Sequence, residues 1–591
     1  MLSQSRYFLL VFTSLVISHQ PARSTPENHR YSVGDIVPLF VNKVGPLNNP
    51  SETYHYYDLP FCLPDQLIEK KESLGEVLNG DRLTNALFEL KFRENKVLET
   101  LCEKQLTRDE VAKFRDAIKN DFYFQMYYDD LPLWGFIGKV EDTWFLDEME
   151  SRYYLFKHVQ FDALYNEDQV IDIHAFSDPT NAVDITNDHV TKVTFTYSIL
   201  WNASSTQFEN RMSKYSRSSI LPQHLQIHCF SIINSLVIVL LLMGMLAALF
   251  LQNLNSDLKK YSHGDEEENK EEGGWKLIRG DVFRCPPYTS LLCAVLGSGT
   301  QLLSLVFFVF ALACMGVLYP YSRGALLSSL VIIYVLTSVI AGYVAASFHG
   351  QFLRRGWEKC VLLAGVLFFG PLVVTFSILN TVAIYYRTTS ALPFGTLVVL
   401  LIMWTLITMP LLALGGIFRY RFRAEFQPPC ATRRCPTEIQ PLLAWYRKTP
   451  AQMFLGGLVP FSAIFIELHY IYISIWGHKI YTVYVILLVV FIIVIILTVI
   501  LSIGLTYLQL SAEDHKWWWR SLLRAASTAI FMYGYCIYFY TQSSMSGFLQ
   551  LSFFFGYNAL MCYGFFLMLG SIGFIASLLF VQHIYHTIKC E

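Results

Sequence analysis

The sequence predicts a polytopic α-helical membrane protein with nine transmembrane helices, preceded by a β-rich N-terminal domain exported to the lumenal side. Three observations predict this class. Of the 591 residues, 53% are hydrophobic and only 16% are charged, whereas soluble proteins carry about 25% charged residues. Nine long apolar segments follow residue 228. Shorter segments with alternating polarity and turn residues precede it, which is typical of β-structure.

Residues 1–23 predict a cleaved signal peptide. Arg6 precedes an apolar run at 7–17, and small and polar residues follow it. This order of charge, short apolar run and polar flank is typical of secretory signals. The run is shorter than the roughly 20 residues that a membrane span needs. The alternative is a short membrane anchor.

Residues 24–228 are predicted to form one folded lumenal domain. Residues 36–44 and 192–201 predict strands, and Arg108–Lys119 predicts an amphipathic helix. The domain carries 32 acidic against 20 basic residues. Because the chain has no long basic run interleaved with aromatic residues, we expect no nucleic-acid partner.

Two covalent features are expected in this domain. Cys62 and Cys102 are its only cysteines, and an exported domain favours a disulfide between them over two buried thiols. Asn202 begins the chain's one glycosylation sequon, Asn-Ala-Ser, and is therefore the candidate glycosylation site.

Residues 229–582 are predicted to form the transmembrane domain. Each apolar segment is long enough to cross a bilayer, since about 20 residues at 1.5 Å per residue cover the hydrocarbon core. The nine segments are 230–251, 290–318, 325–348, 360–386, 391–418, 452–476, 480–508, 522–541 and 552–582. The lipid bilayer is therefore a predicted partner of most of the chain.

The distribution of basic residues predicts the orientation. With the N-terminal domain in the lumen, the cytosolic side holds 20 Lys and Arg residues, including Arg524 at a span edge. The lumenal connections hold only Arg323, Arg387 and Lys479. Because basic residues accumulate on the cytosolic side, this asymmetry places residues 583–591 in the cytosol.

Glu467 is the one acidic residue well inside a predicted span, and His469 lies two residues further on. A charged group at membrane depth is costly and normally faces the bundle interior. Three interpretations stay open: a protonatable group in a transport path, a contact to a client helix, or a structural lock between helices. Residues two apart do not share a helix face, so we do not expect Glu467 and His469 to form a dyad.

Small residues recur in the spans, at Gly297 and Gly299, Gly342, Gly415 and Gly416, Gly456 and Gly457, Gly570, and Gly573. They allow close helix approach, which favours either ordinary bundle packing or a groove for other helices. The triplet Trp517–Trp519 is at a loop-to-span boundary, and this position predicts an interfacial aromatic anchor.

Catalytic and cofactor signatures are missing from the sequence. It contains no Gly-rich phosphate loop, no H-E-x-x-H and no G-x-S-x-G. Cys430 and Cys435 have no histidine or further cysteine nearby, so we expect no zinc site and no other metal. We therefore expect a protein that is not an enzyme and that has no cofactor.

The chain ends in Lys589-Cys590-Glu591, a few residues beyond the last predicted span. Lys589 supplies a cation, and Glu591 supplies a side-chain carboxylate beside the terminal one. A coat protein of complementary charge could read these groups through charge-assisted hydrogen bonds. Lys589 and Glu591 are therefore the candidate coat-binding signal.

Several long blocks resemble the transmembrane 9 superfamily, the nonaspanins, and most closely its member 1 branch. Together these blocks extend from near residue 31 to the terminus. They include VNKVGPLNNPSETYHYYDLPFC (41–62), DDLPLWGFIG (129–138), GWKLIRGDVFRCPP (274–287), GGLVPFSAIFIELHYIYISIW (456–476), LTYLQLSAEDHKWWWRS (505–521) and FLMLGSIGF (566–574).

The resemblance implies a multi-pass protein of Golgi and endosomal membranes that sorts or escorts other membrane proteins. It implies clients with glycine-rich transmembrane helices, and roles in autophagy and cell adhesion. It also implies that a C-terminal K-x-D/E signal binds the COPI coat, which carries over to Lys589 and Glu591. The alternative from the residues is a transporter or channel that uses Glu467.

Overall fold

The computed structural model describes residues 29–145, 148–211, 274–318, 324–353, 356–421, 448–476 and 484–587, with scattered residues between 237 and 256. The chain divides into two compact units. One contains Met1–Ile220, Leu318–Ser328 and Ala383–Leu392, and the other contains the remainder. The predicted signal peptide, most of the segment at 230–251, and Lys589 and Glu591 lie outside the described residues.

The described part of the N-terminal domain is rich in β-structure, as predicted. Its strands are β1 Leu39–Pro46, β2 Tyr54–His55, β3 Thr84–Asn85, β4 Lys96–Leu106, β5 Phe122–Tyr128, β6 Leu131–Phe136, β7 Gly138–Phe145, β8 Glu148–Phe156, β9 His158–Asn166, β10 Gln169–Ser177, β11 Ala182–Asp184 and β12 Thr191–Ala203. Two helices, α1 Leu74–Leu78 and α2 Arg108–Lys119, interrupt them.

These strands form three sheets. One has the order β2-β1-β5-β6 with β3 beside β1, another β10-β9-β12-β4, and the third β11-β8-β7. The pairing of β9 with β12 is parallel and the other named pairs are antiparallel. Aromatic side chains join the sheets to the rest of the domain core: the Phe61 ring lies 5.1 Å from Phe114 of α2 and 6.1 Å from Phe195 of β12.

Helix α2 has the bounds that the sequence predicts, because its ends and its apolar face are both encoded locally. The Thr107 backbone N–H donates to Glu110 Oε2 at 2.9 Å, and Thr107 Oγ1 accepts from the Glu110 N–H at 3.4 Å. This reciprocal cap satisfies donors that the first turn leaves unpaired. Val111, Phe114 and Ile118 are buried on the face that packs into the domain core.

The second unit is helical. Its longer helices are α3 Thr289–Cys314, α4 Ala325–Phe352, α5 Trp357–Tyr385, α6 Phe394–Met403, α7 Met409–Arg421, α8 Thr449–Trp476, α9 Tyr484–Ser511, α10 Trp518–Ala526, α11 Thr528–Gln542 and α12 Phe548–Thr587. A π-helical turn at Trp404–Thr408 joins α6 to α7 without a break.

Among the described residues, eight helical stretches are long and apolar enough to cross a membrane. They correspond to the last eight predicted segments, with ends that differ by a few residues. The fold class is therefore confirmed: a β-rich N-terminal region precedes a set of membrane-crossing helices. An 18-residue apolar window of Phe548–His586 is 72% buried, whereas one of Phe394–Arg421 is only 11% buried, so α12 occupies the centre of the helical unit.

Candidate functional site

The end of α12 is firmly packed just before the candidate coat signal. Tyr585 is 1% exposed, and its hydroxyl donates to the Trp275 carbonyl at 2.7 Å. Its ring packs edge-on against Trp275 and Phe283, with centroids 5.6 and 5.9 Å away. Helix ends normally fray because their last carbonyls lack partners. Here, burial and a side-chain hydrogen bond hold the last turns of α12 in place.

The segment 274–287 provides the surface against which Tyr585 packs. It forms successive turns in which Ile278 and Val282 are buried. Asp281 is also buried, and its Oδ1 accepts from Arg284 Nη2 at 2.7 Å. The buried carboxylate is thus neutralised within the turn, which a low-dielectric position requires.

The tryptophan triplet joins this segment to the bundle. Trp517 Nε1 donates to the Val282 carbonyl at 3.1 Å, and its ring stacks on Trp518 and Phe574 with centroids 4.2 and 5.9 Å away. Trp517 is fully buried and Trp518 is 5% exposed. The prediction of an interfacial anchor is therefore wrong for these two residues, which belong to the core. We call Trp275, Val282, Trp517, Phe574 and Tyr585 the tail-side cluster.

Arg524 of α10 connects three helices and was not singled out by the sequence. Its Nη1 donates to Gln452 Oε1 of α8 at 3.1 Å and to the Leu505 carbonyl of α9 at 2.8 Å. Its Nη2 donates to Gln509 Oε1 at 2.8 Å, and its Nε to the Arg520 carbonyl at 2.9 Å. The side chain is buried, so these bonds replace its hydration. The sequence signal for this site was the occurrence of polar side chains near the ends of three apolar segments: Gln452, Gln509 and Arg524.

The turn between α9 and α10 carries a second buried polar group. Asp514 is 1% exposed and pairs with the Arg520 guanidinium. The next residue, His515, is also buried, and burial lowers the pKa of its imidazole while Asp281 and Asp514 act in the opposite direction. His515 is thus held neutral near neutral pH, which suits packing more than proton transfer.

The two intramembrane polar residues face different surroundings, as their spacing predicts. Glu467 is 3% exposed within α8. His469 is half-buried, and its Nδ1 lies 2.7 Å from the hydroxyl of Tyr535 in α11. Within the eight described spans, the only other carboxylate is Glu358, in the first turn of α5. These positions do not provide a series of ionisable groups across the membrane.

The glycines that the sequence singles out contact other helices of the same chain. A Cβ built on Gly342 would lie 1.9 Å from the Leu412 carbonyl oxygen, and one on Gly415 would lie 2.1 Å from that of Val339. Gly299 is equally close to α12, with the Leu567 carbonyl 2.2 Å away. These positions serve the internal packing of the bundle and do not line a free groove.

The remaining site residues lie in the N-terminal domain. Cys62 and Cys102 are joined by a disulfide, which links the loop before α1 to β4. Asn202 is exposed near the end of β12, where an attached glycan would extend into solvent. The described residues contain no group of three His, Cys, Asp or Glu side chains placed to hold a metal ion.

Comparisons with known proteins match the chain to one family of membrane proteins. The family model described as endomembrane protein 70 matches residues 53–548. Transmembrane 9 superfamily members 4 and 2 of Arabidopsis thaliana are each 56% identical to the chain over 585 residues, covering 99% of the chain and 98% and 99% of their own lengths. Member 1 of Mus musculus is 40% identical over 573 residues, covering 95% of the chain and 94% of its own length. No solved structure matches.

Proposed function

The chain belongs to the transmembrane 9 superfamily, and from this membership we propose that it sorts or escorts other membrane proteins through Golgi and endosomes. The family model names an endomembrane protein, and the chain is a multi-pass membrane protein of that system. In the proposal it acts without catalysis, by binding clients within the bilayer and a coat in the cytosol. Roles in autophagy and cell adhesion belong to the same proposal, since each depends on which clients are delivered.

The packed end of α12 is the observation that best supports coat binding. Tyr585 is fixed by Trp275, and Lys589 follows only four residues later. Four residues span at most about 14 Å even when fully extended. In the proposal, a coat that assembles on the membrane binds Lys589 and Glu591 just after this packed helix end in the sequence.

The charges of the tail fit this partner. The Lys589 ammonium is a compact cation, and Glu591 adds a side-chain carboxylate to the terminal one. Hydrogen bonds between ionised groups are about twice as strong as neutral ones. A COPI subunit with a carboxylate for Lys589 and a basic site for Glu591 would recognise the pair in one orientation.

Exchange of both residues tests the proposal. In the full-length chain, Lys589→Ala with Glu591→Ala should move the protein out of the Golgi in imaged cells, and should abolish coatomer capture by the solubilised protein. Cys590→Ser is the matched control, since it lies between them and leaves both charges intact. Unchanged Golgi residence and unchanged coatomer capture in the double variant would refute coat binding through this signal.

Client binding is expected on the least buried spans. The described glycines of α3, α4 and α7 already pack internally. In the spans at Trp357–Tyr385 and Phe394–Arg421, by contrast, only 17% and 11% of an 18-residue apolar window are buried. A photo-crosslinking residue at Val374, which is 59% exposed in α5, should capture specific membrane proteins. The same residue at the fully buried Leu569 is the control. Capture of lipid alone at Val374 would argue against client binding there and would favour the transport alternative.

A further inference from the structure

The π-helical turn at Trp404–Thr408 changes the backbone hydrogen bonding of the helix that joins α6 to α7. The Met409 N–H donates to the Trp404 carbonyl, five residues back, and not to the Thr405 carbonyl as it would in an α-helix. The next N–H that could reach the Thr405 carbonyl belongs to residue 410, which is proline and has none. The π turn and Pro410 together leave the Thr405 carbonyl without a helical backbone donor.

The three side-chain donors of this turn do not supply the missing bond. Thr405 Oγ1 donates to the Leu401 carbonyl at 2.9 Å. Thr408 Oγ1 donates to the Met403 carbonyl at 3.4 Å. The indole N–H of Trp404 has no acceptor among the residues that the structure describes. In this part of the chain, the Thr405 carbonyl is therefore an acceptor that no group of the turn satisfies.

A second proline shows how the bundle satisfies such a carbonyl where it can. Pro371 lies inside α5 and removes the N–H that would bond to the Leu367 carbonyl, four residues before it. The Tyr563 hydroxyl of α12 donates to that carbonyl at 2.9 Å. A proline in a span is tolerated when a neighbouring helix supplies the lost donor in this way. For Pro410 the described helices supply no such group.

The unmatched carbonyl lies on an open face of the helix. Thr405 and Pro410 are both exposed, and the nearby Leu401 and Leu406 are 53% and 70% exposed. Thr405 follows Phe394, where the span begins, by 11 residues, or about 16 Å along the helix. This depth is near the middle of a hydrocarbon core about 30 Å thick, where no water is available to donate.

The chemistry of this face determines which partner fits it. Lipid tails have no N–H or O–H group. The same face of a second copy presents apolar side chains and the same acceptor, so pairing of two copies would leave the carbonyl unmatched. A transmembrane helix of another protein satisfies both features if it is apolar and carries an amide or hydroxyl donor at mid-depth. Such side chains form hydrogen bonds between helices in membranes.

We propose that the Thr405 carbonyl is a recognition point for membrane proteins whose transmembrane helix carries an N–H or O–H donor near its middle. The inference rests on the proposed function, since it specifies which client helices this span binds. The exposed Leu401 and Leu406 pack against the apolar part of the client helix. Because apolar contacts alone do not distinguish a helix from lipid, the hydrogen bond supplies the selectivity.

A synthetic helix tests the proposal with the full-length chain reconstituted into phosphatidylcholine vesicles. The probe is a transmembrane peptide of about 20 leucines with one central asparagine, kept dilute so that it does not associate with itself. The all-leucine peptide is its control. A photo-crosslinking amino acid at Leu406 should capture the asparagine peptide about three-fold more than the control, the size that one interhelical hydrogen bond contributes. Equal capture of the two peptides would overturn the proposal.

Two proline variants identify the acceptor. Pro410→Ala supplies an N–H that bonds the Thr405 carbonyl within the helix, so the preference for the asparagine peptide should disappear. Pro371→Ala is the matched control and should keep the preference, because the carbonyl that Pro371 frees is already bonded to Tyr563. An unchanged gel-filtration profile verifies that both variants fold. A preference that survives Pro410→Ala, or that both variants lose equally, would refute recognition through this carbonyl.

The outcome is separable from that of the proposed function. Capture of specific membrane proteins at Val374 without any preference at Leu406 would refute this inference and leave client binding intact. A preference for the asparagine peptide that depends on Pro410, without client capture at Val374, would support the acceptor at Thr405 and count against client binding by α5.

Discussion

Replacement of Arg524 by methionine should destabilise the helical unit more than any comparable change of a surface charge. Methionine has a similar length and fills much of the same space, but it has no N–H donors. Gln452 Oε1 and Gln509 Oε1 both accept from the guanidinium and are buried. In the variant, these two amide oxygens would lose their partner.

The expected cost follows from these two oxygens. A buried acceptor that loses its donor costs about 1–3 kcal/mol, so two cost about 2–6 kcal/mol. The backbone carbonyls of Leu505 and Arg520 add less to this cost, since each lies in a helical segment and can keep a backbone hydrogen-bond partner. Removal of a buried cation also returns its desolvation cost, which offsets part of the loss. A net loss of about 2–4 kcal/mol remains the expectation.

Thermal unfolding of the purified protein in detergent, followed by fluorescence-detected gel filtration, measures this loss. Arg524→Met should lower the unfolding midpoint clearly. Lys516→Met is the matched control, because its side chain is exposed in the turn before α10 and substitutions of exposed side chains usually change stability by less than about 0.5 kcal/mol. If the Arg524 variant unfolds at the wild-type temperature, or if the two variants are equally affected, the guanidinium does not hold α8, α9 and α10 together.

Three further results are expected. Gly342→Val should impair assembly of α4 with α7, since its Cβ would overlap the Leu412 carbonyl. Gly370→Val is the control and should be tolerated, because a Cβ there meets only Val366 of its own helix. The yield of monodisperse protein distinguishes the two variants, and equal yields would contradict the packing argument. His158 is buried between Thr196 Oγ1 and Ser198 Oγ, and burial lowers the pKa of its imidazole. The unfolded chain therefore binds this proton more readily, so the stability of the folded protein should fall as the pH drops below about 6.5. A flat pH profile of the wild-type unfolding midpoint, or the same slope in His158→Gln, would contradict this prediction. Glu467→Gln should leave proton and cation flux into reconstituted vesicles unchanged if Glu467 is a structural lock, and a flux lost only in that variant would favour the transport alternative.

The sequence predicted the helical unit well because each of its segments is defined locally. A bilayer requires about 20 apolar residues in a row, and eight of the predicted segments coincide with described helices. Helix α2 was equally predictable, since Thr107 and Glu110 specify its start. The sheet order was not predictable, because β9 pairs in parallel with β12, and neither strand encodes its distant partner.

The candidate site was predicted less completely, for a related physical reason. By sequence, Arg524 is an ordinary basic residue at a span edge, since its acceptors Gln452 and Gln509 lie on other helices. The position of the tryptophan triplet along the chain predicts a place at the membrane interface. Burial of Trp517 depends on Val282 and Phe574, which are far away in sequence. Local patterns indicate where a span ends, but not what packs against that end.

Three of the blocks that carry the family resemblance meet at the tail-side cluster. Val282 lies in the block at 274–287, Trp517 in the block at 505–521 and Phe574 in the block at 566–574. The block at 456–476 joins the same region, since a Cβ on Gly456 would lie 2.9 Å from the Arg524 carbonyl oxygen. Packing around one end of the bundle therefore explains these unusual sequences. Because this packing also fixes Tyr585, it holds the last turns of α12 in place.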